Sequence, residues 1–243
     1  MAAHSHEAFD KDQQKESAGD FLGNLVYGAL DGVVTTFAVV AGAAGAGLSP
    51  GIVLVLGFAN IFADGLSMAA GTFLSIKSTQ SYYDAERKRE EWEVDNYPKG
   101  EREEIKRIYS AKGFAGKNLE KIVEIITSKK SVWVDTMMLE ELGMTPQQVN
   151  PVKAAVYTYA AFVGAGTVPL LAFLYSFFRP IESGILFPAA VILTFITIFA
   201  TGAMRSLVIS KNWFEAGMEM LIVGGITAIV SYGLGTVLGG LVL

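Results

Sequence analysis

Five long apolar blocks, at 21–48, 52–76, 152–178, 184–207 and 213–243, constrain this chain more than any other feature. Each exceeds the roughly 20 residues a helix needs to cross the hydrocarbon of a bilayer. No water is present there to satisfy a bare backbone, so each block has to be helical. Hydrophobic residues make up 51% of the chain and charged residues 18%, a surplus that a lipid-facing surface explains and a soluble domain of 243 residues does not. The expected fold is an all-α membrane protein with five transmembrane helices. An odd number of spans puts the termini on opposite sides. Only Ser49, Pro50 and Gly51 separate the first two blocks, which predicts an antiparallel hairpin of neighbouring spans.

The polar residues fall mostly in one place. Of the 19 Lys and Arg residues, 14 lie from Lys77 to Lys153. The organisation read from this is a flexible N-terminal tail at 1–20, spans one and two at 21–76, a helical insert at 77–150, and spans three to five at 151–243. Positive charge marks the cytoplasmic side of a membrane. Lys11, Lys15, the insert, Arg205 and Lys211 all fall on one side, and only Arg179 falls on the other. The N-terminus and the insert are therefore expected in the cytoplasm and the C-terminus opposite; a prokaryotic plasma membrane and a vacuolar membrane both fit this bias. No apolar leader precedes the first span. The chain has no cysteine, which excludes disulfides and thiolate metal sites, and its only histidines are His4 and His6 in the tail.

Small residues recur four apart at Gly28 and Gly32, Gly65 and Ala69, and Gly235 and Gly239. This spacing lets helix backbones approach closely in lipid, either within one subunit or across a dimer seam.

Carboxylates inside a span are costly unless they face a polar path or a cation, so Asp31 and Asp64 are functional candidates. The alternative is a structural hydrogen bond to a neighbouring helix. At a rise of 1.5 Å per residue, Asp31 lies about 15 Å in from Phe21, while Met68 and Asp64 lie about 13 and about 20 Å in from Lys77. Asn60, Asp64 and Met68 follow at i, i+4 and i+8, so one helix face offers an amide, a carboxylate and a thioether. Thioether sulfur adds nothing for Mg2+ or Ca2+ but binds softer ions, so the set points to a first-row divalent ion such as Fe2+. Met68 alone also reads as ordinary packing. Glu219 reads equally as an interfacial anchor and as a third pathway acid.

The insert alternates charged and apolar residues at helical spacing, with breaks near 98–100, 113–116 and 128–131. It is read as a continuation of span two followed by three short helices. Glu90 and Glu93 are one turn apart, Glu101 and Glu104 repeat that spacing beyond Pro98, and Met137 precedes Glu141 by four. If the helices flanking Pro98 fold back, four carboxylates converge and need cations to offset their repulsion. The competing reading is solvated helix faces carrying ion pairs.

The whole chain resembles the vacuolar iron transporter family, which includes the yeast vacuolar iron and manganese importer and plant and protozoan relatives. The resemblance rests on Asp31-Gly-Val-Val-Thr, on Gly-Leu-Ser-Met68 running into Lys77-Ser and Tyr82-Tyr83, and on Lys88-Arg89-Glu90-Glu-Trp-Glu93. Met137-Met138-Leu-Glu-Glu141-Leu-Gly143 and Gly217-Met-Glu-Met-Leu complete it. The resemblance implies a homodimer of five-helix subunits in a lipid bilayer, with a cytoplasmic metal-binding domain between spans two and three. It implies metal ligation by Glu90, Glu93, Glu101, Glu104, Met137 and Glu141, and a membrane pathway through Asp31 and Met68. Fe2+ is then the transported substrate, with Mn2+, Zn2+ and Co2+ as further divalent ions for the same sites, exchanged for protons. Two departures stand out. Several relatives carry glutamate where this chain has Asn60, with Asp64 one turn further on, and relatives often carry proline where this chain has Thr36.

No nucleic-acid partner is expected, and no enzymatic activity. A membrane ferroxidase would draw on Glu-x-x-His motifs, which are absent. A metal-sensing membrane protein without transport is the remaining alternative.

Overall fold

The computed structural model describes residues 2–179, 183–207 and 211–242, and the side chains of 22–179, 184–207 and 211–241. Nine α-helices are present among them: α1 (Ala2–Gly45), α2 (Pro50–Asn96), α3 (Pro98–Ala111), α4 (Gly116–Thr127), α5 (Lys130–Glu140), α6 (Pro151–Thr167), α7 (Leu171–Phe178), α8 (Ser183–Arg205) and α9 (Trp213–Val242). No strand occurs among the described residues. α1 is helical from Ala2, so its backbone continues through the segment read as a tail; the side chains there, His4 and His6 included, lie outside the described residues.

Five helical stretches are long and apolar enough to cross a membrane: Leu22–Gly45, Pro50–Asn96, Pro151–Phe178, Gly184–Arg205 and Trp213–Leu241. The third is α6 and α7 joined by a 3-10 turn at Val168–Leu170. Pro169 sits inside that turn, where its missing N–H and its ring interrupt the α-helical ladder. α1 runs through Thr36 without a break, so the helix is continuous where relatives often carry proline.

Contacts divide the chain into two compact units, 1–74 with 149–243, and 75–148. In the first, α1 is the hub, lying against α6, α8 and α9. The reason is steric. A methyl group added to Gly32 would sit 2.3 Å from the carbonyl oxygen of Phe162 on α6, and one on Gly28 would sit 2.6 Å from that of Thr158. On the other side, a methyl on Gly235 of α9 would lie 2.1 Å from the Gly42 carbonyl oxygen, and Gly239 crosses at Ala46. Gly65 of α2 faces the rings of Tyr159 and Phe162. All three small-residue repeats thus make contacts inside one chain, which decides between the two readings of their spacing.

The hairpin expectation is that α1 and α2 are neighbours. α1 and α2 share an apolar core that includes Phe37, Val40, Val53 and Ile61. The close backbone approaches of α1, however, go to α6, α8 and α9 and not to its sequence neighbour. α2 offers side chains at the contact, so it stands further off than a glycine face allows.

The second unit has an apolar core of its own. Leu119, Val123 and Ile126 form the buried stripe of α4, spaced for one helix face, and they join Val94, Ile105, Trp133, Val134, Met137 and Met138 in one core. Each such side chain contributes about 1.5–3 kcal/mol on burial. Arg87 of α2 meets Asp135 of α5 at 2.6 Å, and Lys106 of α3 meets Glu120 of α4 at 3.4 Å. These exposed pairs are worth about 0–1 kcal/mol each, so the apolar core carries the stability.

Replacing Gly32 by Ala is expected to destabilise the detergent-solubilised chain by about 1–3 kcal/mol, because the obstructing atom is backbone and cannot rotate away. Gly225→Ala, where nothing lies within 4 Å, should leave thermal unfolding unchanged or slightly raised. Equal midpoints for the two variants would contradict the packing account.

Candidate metal site and membrane carboxylates

Three elements of the second unit converge on one acidic cluster. α2 ends at Asn96, and Pro98, with φ preset for a helix start, opens α3 immediately after it. The chain therefore turns back within two residues and sets Glu101, in the first turn of α3, opposite Glu90 of α2. Glu141 arrives from the C-terminal end of α5, where the Glu141 and Leu142 N–H groups donate to the Met137 carbonyl and Gly143 takes φ +63°. Only glycine adopts that conformation freely, and it turns the chain away directly after the carboxylate. One oxygen each from Glu90, Glu101 and Glu141 lie within 4.8 Å of one another.

The environment is hostile to this much negative charge. Glu90 is 1% exposed and Glu101 7%, and one oxygen of each is buried with no hydrogen-bond partner. Burial pushes the Glu101 carboxyl up to about 7, with Glu104, Glu90, Glu93 and Glu141 adding like-charge repulsion. Glu90 is raised first by burial and then by Glu141 and Glu93; Glu141 is raised first by burial and then by Glu104 and Glu93. Glu141 also ends a helix, where the dipole disfavours an anion. Glu93 and Glu104 stand half-buried at the edge of the cluster, Glu104 bonded to Arg107 at 2.8 Å. Met137 is fully buried in the apolar core one turn before Glu141.

The membrane residues sit differently. Asp31 is partly buried on α1, and Asp64 is exposed on α2, each within reach of the other's charge. Neither carboxylate makes an ion pair or hydrogen bond among the described residues; the Thr35 hydroxyl donates to the Asp31 backbone carbonyl at 2.8 Å and not to its carboxylate. Asn60 is half-buried with its amide nitrogen unpartnered, and Met68 is half-buried. The structural-hydrogen-bond alternative for the two aspartates therefore finds no bond to support it.

Glu219 accepts from Lys211 at 2.5 Å and from Arg205 at 3.4 Å, which favours the interfacial anchor over a pathway acid. Sequence reading missed Arg89 as a member of the acidic site. Its Nε lies 3.1 Å from Glu86 and its terminal nitrogen 3.3 Å from Glu90. The signal was present, since Arg89 follows Glu86 by three on one helix face.

Fold and site together define a multi-span helical membrane protein with an acidic cation-ready cluster in its polar insert. The profile of the VIT family matches residues 22–236, and the chain belongs to that family. It is 33% identical to a vacuolar iron transporter of Toxoplasma gondii, over 98% of this chain and 82% of that one. Vacuolar iron transporter 1 of Eucalyptus grandis is 30% identical over 92% of this chain and 90% of its own length. A vacuolar iron transporter of Plasmodium falciparum is 33% identical over 90% of this chain and 82% of its own.

Glu101 supplies a pH test with a definite sign. Below about 4.5 both folded and unfolded chains hold its proton; between there and about 7 only the folded chain does, so each step up in pH weakens folding. In the presence of a chelator, thermal stability of the full chain is expected to fall as pH rises through this window and then level off. Glu101→Gln, which cannot ionise, should make the profile shallower, leaving the smaller slope that Glu90 and Glu141 contribute; an unchanged slope would remove the assignment.

Proposed function

We propose that this chain is a divalent-metal transporter that moves Fe2+, and also Mn2+, out of the cytoplasm in exchange for protons. One observation carries the reading: Asp31 and Asp64 lie in membrane spans with no counter-charge or hydrogen bond on either carboxylate among the described residues. A carboxylate in that setting is tolerated where a cation or a proton neutralises it, and exchange of one for the other is the elementary step of metal–proton antiport. The relatives named as vacuolar iron transporters support iron as the cargo.

In this reading the insert, whose Lys and Arg residues mark the cytoplasmic side, collects the ion. Glu90, Glu101 and Glu141 hold it, with Glu93 and Glu104 adding charge at the edge and Met137 a softer donor. The mixture suits first-row ions, so Zn2+ and Co2+ compete for the same place. Release hands the ion to Met68, Asp64, Asn60 and Asp31. At each carboxylate an arriving dication displaces a proton, and an arriving proton later displaces the dication.

The pathway runs between two copies of the chain. Asp64 is exposed on a helix whose lipid-facing surface otherwise carries Val55, Leu56, Phe62 and Leu66. Beside it run Ala59, Ala63, Ser67 and Gly71, small, exposed and four apart. A charged group on a bare apolar helix needs a protein surface over it, and a small-residue face is what a second helix packs against. A homodimer meeting along α2 meets both needs.

Two experiments test this reading. In proteoliposomes under a pH step, Asp31→Asn should abolish Fe2+ flux and leave metal binding by the insert intact; undiminished flux would remove the pathway, leaving a metal-binding membrane protein without transport. Because the chain lacks cysteine, Ala63→Cys gives a single reporter: oxidation in membranes should yield a covalent dimer, whereas Ile192→Cys on α8 should not. Failure to cross-link at Ala63 would remove the α2 seam.

A further inference from the structure

The acidic cluster is bordered by two guanidiniums that its chemistry does not require. Arg89 bridges Glu86 and Glu90, touching one Glu90 oxygen at 3.3 Å while the other Glu90 oxygen is buried without a partner. Arg107 holds Glu104 at 2.8 Å. Both act on Glu141 through space, opposing the repulsion it feels from Glu104 and Glu93. The rest of the cluster brings five carboxylates together, so these two cations are its resident neutralisers.

Their exposure matters. Glu90 is 1% exposed, but the Arg89 side chain is 51% exposed and that of Arg107 73%. Each guanidinium thus has water to move into; Glu90 does not, and Glu104, 33% exposed, has less of it than Arg107. A buried acid paired with an exposed base, as Glu90 is with Arg89, is an ion pair that can open toward water.

Resting on the reading of the cluster as a divalent-ion site, we propose that Arg89, seconded by Arg107, is an internal counter-cation that competes with the metal for Glu90 and Glu104 and so sets the affinity of the site. A transporter's capture site has to release its ion, and binding too tight to reverse would stop flux. With the guanidinium in place, metal entry must first break a charge-assisted bond; on departure of the metal, the same arm closes over Glu90 again. Arg89 is therefore an affinity-determining residue and not a ligand. Arginine keeps its charge at every working pH, so this competition persists where proton competition has faded.

The test uses the full chain in detergent at pH 8 and low ionic strength, with free Mn2+ counted by its EPR signal. Wild type should bind Mn2+, and Glu90→Gln should weaken binding at least about ten-fold. Identical binding by these two proteins would remove the metal site itself, a failure separate from that of the arginine. Given the Glu90 effect, Arg89→Gln should bind Mn2+ about five- to ten-fold more tightly, the scale expected from removing a unit charge several ångströms from a dication near solvent. Arg89→Lys, which keeps the charge, should stay near wild type. Unchanged or weaker binding by Arg89→Gln overturns the proposal. If Arg89→Gln is not recovered as a folded protein, Arg107→Gln decides, since it leaves the Glu86–Arg89–Glu90 contacts untouched: tighter binding supports the proposal and unchanged or weaker binding overturns it.

Discussion

The membrane unit depends on close backbone contact around α1. In lipid, apolar side chains gain little by leaving the hydrocarbon, so helices associate through dispersion at short range and not through a hydrophobic drive. That favours backbones that meet directly. Gly28 and Gly32 admit α6 on one flank, and Gly42, facing Gly235, admits α9 on the other. Thr36 is fully buried close to Gly166, so even the polar residue in mid-helix is enclosed by this approach. With α1 at the hub, α8 and α9 close against each other, Gly202 of α8 meeting the Ala216 carbonyl. The outward faces can then be entirely aliphatic, as Ile222, Ile226 and Ile229 of α9 are.

Against that frame the two sets of carboxylates face one electrostatic problem in two media. In the insert, water is near, and charge is offset three ways: Glu101 holds its proton up to about pH 7, Arg89 covers Glu90, and Arg107 covers Glu104. In the membrane no basic residue accompanies Asp31 or Asp64. An arginine there would be costly to bury and slow to leave, so a fixed counter-charge would turn a path into a permanent ion pair. The placement of basic residues thus sets the two groups of carboxylates apart: one has guanidiniums beside it and the other has none among the described residues.

Much of this was legible in the chain itself. The five spans follow from block length alone, and the helix breaks near 98–100, 113–116 and 128–131 carry glycine, proline or serine whose backbone preferences act locally. Local signals also placed Glu90 and Glu101 on the two arms of one turn, and the structure brings them together with Glu141. What spacing does not encode is which faces meet. Gly28, Gly32, Gly235 and Gly239 announce close packing without naming the partner, and the partner is settled by the combined fit of α6, α8 and α9 on α1. For the same reason the α1–α2 turn made those two spans neighbours without revealing that the closest backbone approaches of α1 go to other helices. Arg89 was overlooked because its charge was counted toward membrane orientation; only the direction of its side chain shows that it also belongs to the acidic site.

On the proposed dimer, symmetry adds a constraint of its own. Two copies meeting about a two-fold axis along α2 present the same face to each other, so every residue near the axis approaches its own equivalent. In the proposed dimer Asp64, exposed beside the Ala59, Ala63, Ser67 and Gly71 face, would be such a residue. Two carboxylates brought together in a low dielectric repel strongly unless one holds a proton or a cation lies between them. A seam of that kind is incomplete as a pure protein surface: the charge that makes α2 unfit to face lipid also makes the dimer dependent on what passes through it. Under the proposed exchange, metal entry and proton entry would stabilise the same interface in alternation. Coupling between them needs no moving part beyond the shared pair of acids, because whichever cation leaves exposes a repulsion that the other relieves.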